Sequence, residues 1–244
     1  HLSWARRILV VDTGSRDGTP ERLRAAGAPL EVIDGDPSSL IEEARNLAID
    51  RVEEGWILVL DLDERVPIPL REEILRATES HRSPSAYRIP LRHYVFGRWL
   101  RHGGWNDRHL RLFGAGRGRY PEACIHAQPR IDGEVGDLEQ PIVHFAHPTL
   151  HDFLVKLNRY TSQAAPIIDT RGEGGLRKRP PLPEKPWRWL WSCLSVFWSR
   201  YIKAAGFRDG MAGFLVAALL AAYQFVEQAK VWERRHVAAD GEIR

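Results

Sequence analysis

Three short apolar runs, each closing on an acid, constrain this 244-residue chain more than any other feature. They read ILVVD ending at Asp12, LEVID ending at Asp34, and WILVLDLDE running through Asp61 and Asp63. The first and third are continuous apolar runs, the pattern of strands covered on both faces, and LEVID, interrupted by Glu31, reads as a second short strand. The segments between them read as helices. Thr19-Pro20 predicts an N-cap with proline at the first helical position, and Gly27 predicts the end of that helix. Ser39 and Glu42 predict a capping box for a second helix with Leu40, Ala44, Leu47 and Ala48 on its apolar face and Gly55 as its stop. Strand, helix, strand, helix, strand with short connections implies right-handed crossovers, an α/β class and a Rossmann-like, mostly parallel sheet.

Past a further helix at 67–79, the texture changes. Residues 85–145 carry short apolar runs broken by Gly, Pro, Arg and His, which predicts mixed β structure with functional loops. Residues 149–165 predict an amphipathic helix with Leu150, Phe153, Leu154, Leu157, Tyr160 and Ala164 on one face. The stretch TRGEGGLRKRPPLPEKP then reads as a basic linker, so the expected organisation is a catalytic domain over 1–169, a linker over 170–186 and a Trp-rich helical region over 187–244. Within that last region, GMAGFLVAALLAAYQFV is uncharged and at the short limit for crossing a bilayer. The aromatic and basic residues before it suit a headgroup zone, so a helix lying in one leaflet is expected ahead of a true span, and a buried soluble hairpin is the competing reading.

Bulk properties exclude rather than identify. A formal charge of +3 is too small a surplus to argue for nucleic acid, and two distant cysteines, Cys124 and Cys193, exclude a disulfide framework. The chain opens on His1 and carries no cleavable leader, which reads as a missing true start.

Asp61 and Asp63 are the strongest chemical signal. Two carboxylates two residues apart at a strand end suit Mg²⁺ or Mn²⁺ carrying a diphosphate, and open parallel sheets bind ligands at that end. Asp12 closes its own strand in the same way and is placed to accept hydrogen bonds from a base or ribose, while Gly14 lets backbone approach a ligand. Asp17 is read as a helix cap. Arg45 and Asn46 lie on the polar side of their helix, with Arg45 either stacking on a base or forming a surface ion pair.

The joint pattern VVDTGSRDGT, ARN and DLDE, in that order, resembles the family 2 glycosyltransferases of the nucleotide-diphospho-sugar transferase (GT-A) fold. The downstream GGWNDRHLRLF and the segment HFAHPTLHDFLVKLNRYTSQAA are similar to the branch that adds sugars to the lipopolysaccharide core. The resemblance implies an inverting transfer from a nucleotide-diphosphate sugar to a saccharide or lipid-linked acceptor, dependent on a divalent metal, at the cytoplasmic face of the inner membrane. It places Asp12, Gly14, Ser15, Arg45 and Asp61 at the nucleotide sugar, with Asp63 on the metal and Asp61 beside it. The family's usual first strand has no counterpart here. The general base that an inverting transfer needs is sought at Asp107 or Glu122, with Asp107 preferred. His126 and His144 are candidate third metal ligands, though satisfied strand-end histidines are the preferred reading. Arg101, Arg108 and Arg111 are read as a basic patch for diphosphate or an anionic acceptor, or else as solvated side chains. A haloacid-dehalogenase-like phosphatase and a non-catalytic, membrane-bound nucleotide-sugar fold are the alternatives.

Overall fold

The computed structural model describes residues 2–26, 29–80, 83–121, 128–171 and 185–237. The chain forms two compact units, one of residues 1–91 and 108–144, the other of residues 92–107 and 145–244.

The first unit opens with β1 (Ile8–Asp12), α1 (Thr19–Ala25), β2 (Leu30–Asp34), α2 (Ile41–Ile49) and β3 (Trp56–Leu58). This is the alternation the apolar runs predict. β1 and β2 pair in parallel, with Asp12 level with Asp34. The helix starts differ in detail. Thr19 lies inside α1 and donates its N–H to Asp17 Oδ1 (3.1 Å), so Asp17 is the residue that satisfies that end. At α2, Glu43 rather than Glu42 reaches back, accepting the Leu40 N–H at 3.1 Å, because the helix begins two residues after Ser39. The expected stop at Gly27 lies outside the described residues.

Next come β4 (Glu64–Arg65), α3 (Ile68–Glu79) and β5 (Ala86–Val95), followed by β6 (Arg98–Trp99), β7 (Arg108–Gly114), β8 (Gly118–Arg119), β9 (Arg130–Ile131), β10 (Val135–Asp137) and β11 (Ile142–His147). The main sheet has the order β3-β7-β5-β11-β4 and is mixed, where a mostly parallel sheet is expected from sequence. β3 with β7, β7 with β5, and β11 with β4 are all antiparallel; β10 joins β5 in parallel. Only one helix lies among the eight strands from β4 onward, so helical crossovers are scarce and antiparallel pairs dominate, with β10 on β5 the parallel exception. Val66, Leu70, Ile74, Ile89, Leu91, Leu112 and Ile142 make the core between α3 and this sheet, and Ile49, Ala86, Phe113 and Tyr120 make a second cluster.

The second unit contains the far ends of β5 and β11, β6, and the helices α4 (Leu150–Arg171), α5 (Pro186–Trp198) and α6 (Gly210–His236), with a π-helical turn at Ser199–Lys203 and a 3₁₀ turn at Gly206–Asp209. α4 buries Phe153, Leu157, Ala164, Ala165 and Ile168 as its period predicts, but Leu150 and Leu154 are exposed. α6 buries Val216, Ala217, Leu220 and Val231 together with the polar Gln224, Glu227 and Gln228. Close backbone contact at its start explains two glycines: a Cβ on Gly213 would lie 1.9 Å from the Gly206 carbonyl oxygen. Most of the expected linker lies outside the described residues.

Leu70 is 0% and Leu75 38% exposed on the same helix. Leu70→Ala is expected to cost about 2–5 kcal/mol of unfolding free energy in urea denaturation, and Leu75→Ala within about 0.5 kcal/mol. Equal losses for the two would contradict this assignment of the α3 core face.

Candidate active site

Three elements of the first unit bring acids to strand ends. At the end of β1 the Asp12 carboxylate accepts the N–H groups of Gly14 (3.3 Å) and Ser15 (3.2 Å). Hydrogen bonding by Ser15, side chain and then backbone, holds the Asp12 carboxyl below the ordinary carboxylate range despite the opposing effect of burial. Gly14 has φ +95°, and a Cβ there would sit 3.0 Å from Pro37 Cγ, so the turn requires glycine on both counts. Asp12, Gly14 and Ser15 thus form one self-supported loop at the end of β1, which pairs with β2 in a two-stranded sheet separate from the main one.

At the end of β3 the run continues to Asp61 and then folds into a tight turn. The Glu64 N–H donates to the Asp61 carbonyl (3.0 Å), and the Asp61 N–H donates to the Glu64 carboxylate (2.9 Å). The two aspartates take different partners. Leu62 is at the exposed tip. Asp61 turns toward two guanidinium groups: Arg45 Nη2 is 2.5 Å from its Oδ1, and Arg111 Nη2 is 3.0 Å from its Oδ2. Arg111 also reaches Glu64 Oε1 at 2.7 Å. Asp63, on the other arm of the turn, lies with its Oδ1 3.4 Å from His144 Nε2.

The electrostatics follow from that arrangement. Burial pushes the Asp61 carboxyl up, but the charges of Arg111 and Arg45 outweigh it and hold Asp61 below the ordinary carboxylate range. For Glu64, burial and the Asp61 charge outweigh Arg111, and its carboxyl is raised. Arg111 is raised as well, the two acids overcoming its own burial.

α2 supplies the arginine and the support behind it. Arg45 lies over the Tyr120 ring, 5.2 Å from its centroid. Asn46, expected on a polar face, is buried and clamps the Tyr120 backbone, donating to its carbonyl (2.9 Å) and accepting its N–H (3.0 Å). Arg45 is thus a partly buried ion-pair partner of Asp61, neither a surface ion pair nor a free stacking group.

The arginines do not behave as one patch. Arg111 is buried in the acid cluster, and Arg108 donates to the Leu138 carbonyl (2.6 Å) beside Arg88, Asp137 and Glu139. Arg101, in the second unit, lies over Trp99 and gives its N–H to Asp209. Asp107, also in the second unit, has its carboxylate 47% exposed and its Oδ1 2.9 Å from Nε2 of the buried His93. Glu122 and His126 lie outside the described residues. His147 packs on Phe153, and among the described residues no group of three or more His, Cys, Asp or Glu is spaced to hold a metal.

Sequence reasoning missed Glu64 and Tyr120 as parts of this site, and placed Asn46 on a polar face where the structure buries it behind Tyr120. Glu64 stands next to Asp63, but nothing in a linear pattern signals that its carboxylate turns back to close the loop.

Because the Glu64 side chain is 0% exposed, removing its cation leaves a buried acid uncompensated. Arg111→Met is expected to cost about 3–5 kcal/mol of stability, and the further change Glu64→Gln to recover part of it, read by urea denaturation. A loss under about 1 kcal/mol for Arg111→Met would show that the cluster is not held as described.

Residues 5–127 match the family described as Glycosyl transferase family 2. The chain is 26% identical to the lipopolysaccharide core biosynthesis glycosyltransferase LpsC of Rhizobium meliloti (strain 1021), over 98% of this chain and 87% of that protein. A 59-residue stretch is 46% identical to a TPR repeat-containing protein of Synechococcus elongatus, covering 24% of this chain and 14% of that one. The family match takes in β1, α2, the Asp61–Asp63 turn and β7, the elements that build the acid cluster, and leaves the phosphatase alternative without support. The chain belongs to glycosyltransferase family 2, with a nucleotide sugar as donor and a saccharide as acceptor.

Proposed function

We propose that the chain is an inverting, metal-dependent glycosyltransferase of lipopolysaccharide core synthesis. The observation that carries this reading is the acidic turn after β3. It separates an Asp61 held by two arginines from an Asp63 that faces His144. The likeness to LpsC over most of both chains supports the lipopolysaccharide assignment.

The residues divide the work as follows. The loop of Asp12, Gly14 and Ser15 receives the nucleoside, since an ionised carboxylate fixed by two backbone N–H groups is a rigid acceptor for ribose or base donors. Arg45 and Asp61 border the ribose and diphosphate. Asp63 fits a divalent cation: it is a hard oxygen donor, part-exposed, with a nitrogen donor beside it. When bound there, Mg²⁺ or Mn²⁺ supplies positive charge against the departing diphosphate. In the transfer, the acceptor hydroxyl oxygen forms a bond to the anomeric carbon on the face opposite the diphosphate. The carbon–oxygen bond to the diphosphate breaks with its electron pair on oxygen. Asp107 takes the acceptor proton; its carboxylate is half-exposed and oriented by His93.

We further assign residues 1–169 to donor binding and catalysis and 187–244 to association with the cytoplasmic face of the inner membrane, the basic 170–186 segment between them being a linker. The support is the exposed apolar stripe of α5: Trp187, Leu190, Trp191, Leu194 and Trp198 recur at helical spacing and face outward. α6 is long and apolar enough to cross a membrane by length and composition, but its buried Gln224, Glu227 and Gln228 favour a helix packed on its neighbours in one leaflet.

Asp107→Asn is expected to lower turnover by about 10²–10⁴-fold while leaving donor affinity within about twofold; an equal loss of affinity would remove its role as base. Trp187→Ser/Trp191→Ser is expected to weaken co-sedimentation with anionic vesicles about tenfold or more, and unchanged sedimentation would contradict the assigned membrane face.

A further inference from the structure

We propose that the β5–β6 hairpin, with the starts of α4 and α6, binds one anionic phospholipid, its phosphate at Arg92 and Arg101 and an acyl chain in the groove beside Phe96. These residues are separate from the outward stripe of α5, and they select a lipid by charge where that stripe does not. Trp99 is level with Tyr94 and Arg98 with Val95, and the Leu100 N–H donates to the His93 carbonyl at 3.0 Å. The same register sets Arg101 opposite Arg92. Both guanidinium groups lie over the Trp99 ring, at 4.5 Å for Arg92 and 4.2 Å for Arg101 from its centroid.

Like charges opposite one another on paired strands repel. Arg45, Arg88, Arg111 and Arg235 each meet a carboxylate, whereas among the described residues neither Arg92 nor Arg101 has an ion-pair partner. Among the described residues Arg92 Nε is also buried without a hydrogen-bond partner. Asp209, the acid at this loop, accepts the backbone N–H groups of Arg101 and His102 and pairs with the His102 ring, not with a guanidinium. A phosphate held by the two arginines supplies both the missing charge and the missing acceptor. A headgroup carrying its own cation would instead bring a third positive group to them.

Along the hairpin the surface turns apolar. Tyr94 packs on Phe145 with ring centroids 5.5 Å apart, and Trp99 and Phe145 are both exposed, the aromatic chemistry of a headgroup zone. At the hairpin end, Phe96, Pro148, Thr149, Leu150, Leu215 and Leu219 line a groove of about 390 Å³. That volume falls within the roughly 300–1,000 Å³ of ligand clefts, and only Thr149 brings a polar side chain to the wall. Phe96 is fixed there at φ +51°, its N–H donating to the His147 carbonyl at 2.8 Å. A strand rise of about 3.3 Å per residue sets Arg92 roughly 13 Å from Phe96. One leaflet of hydrocarbon is about 15 Å deep, so a single lipid spans both ends of the site. Leu215 is also one of the outward residues of α6, which makes the groove continuous with that apolar surface.

The test is co-sedimentation of the whole chain with vesicles of phosphatidylcholine alone and of equimolar phosphatidylcholine and phosphatidylglycerol, at about 0.15 M salt to screen long-range attraction. Tighter binding to the phosphatidylglycerol vesicles is expected. Arg92→Gln/Arg101→Gln should weaken it about tenfold or more and leave binding to phosphatidylcholine unchanged. Arg159→Gln/Arg234→Gln removes the same charge from exposed positions elsewhere in the unit and should cost less than about threefold. An equal loss in that control would reduce the effect to unspecific attraction and overturn the site. A second measurement needs no variant: soluble dihexanoyl phosphatidylglycerol should raise the unfolding temperature of the unaltered chain, and glycerol phosphate, which has no acyl chain, should not. Stabilisation by both would replace the lipid with a free phosphate, and stabilisation by neither would overturn the site. Equal binding of the unaltered chain to the two vesicle types would overturn this site alone, whereas binding to neither would overturn the membrane assignment of α5 as well.

Discussion

Arg111 is the cation around which the acidic edge of the first unit is organised. A buried guanidinium must be paired, and here it takes Asp61 at 3.0 Å and Glu64 at 2.7 Å, the two ends of one turn. The pairing fixes the turn from one side, and two hydrogen bonds between Asp61 and Glu64, one backbone to backbone and one from the Asp61 N–H to the Glu64 carboxylate, close it. Arg45 then completes Asp61, with Tyr120 under its guanidinium and Asn46 holding the Tyr120 backbone. Buried ion pairs contribute little net stability, because desolvation offsets most of the attraction. Their value here is positional: Asp61 is held ionised between two guanidinium groups, and Asp63 is left as the acid beside the His144 ring.

The second unit follows a different logic. Its helices bury one face and leave the other apolar. α5 carries tryptophans and leucines outward along its length, and α6 adds Met211, Phe214, Leu215 and Phe225. Asp209, at the foot of α6, accepts the backbone N–H groups of Arg101 and His102 and pairs with the His102 ring at 2.9 Å. The loop that begins at residue 100 and ends at Asp107 is therefore anchored to the start of α6, and Arg200 holds the Gly103 carbonyl from the preceding turn at 3.1 Å. Within this unit, the aromatic helices and the loop bearing Asp107 form one hydrogen-bonded assembly.

Much of this was legible in the chain itself. Short apolar runs identify β1 and β3, and β2 follows as a short strand with Glu31 at an exposed position. The motif VVDTGSRDGT predicts a ligand-facing loop, and Gly14 at φ +95° is its physical signature. What could not be read was direction. The D-x-D spacing predicts two carboxylates at a strand end, but not that a turn closed by Glu64 gives Asp61 two arginine partners and Asp63 a histidine. Arg111 reads as a solvent-facing diphosphate contact when counted with Arg101 and Arg108, because long-range pairing to residues 50 and 47 positions away has no local signal. The mixed β region over 85–145 was legible, but the order of its strands was not, since their runs are short and broken and their pairing is set by contacts distant in sequence.

The central claim is that this chain binds a nucleotide-diphosphate sugar through a divalent cation at the Asp63 turn. Calorimetric titration of the whole chain with a panel of nucleotide sugars, each with and without Mn²⁺, tests it most directly. The account predicts that one donor binds with Mn²⁺ present and at least tenfold more weakly without it, consistent with a cation bridging protein and diphosphate. Equal affinity for that donor in the two conditions, or no heat from any donor in either, would contradict it.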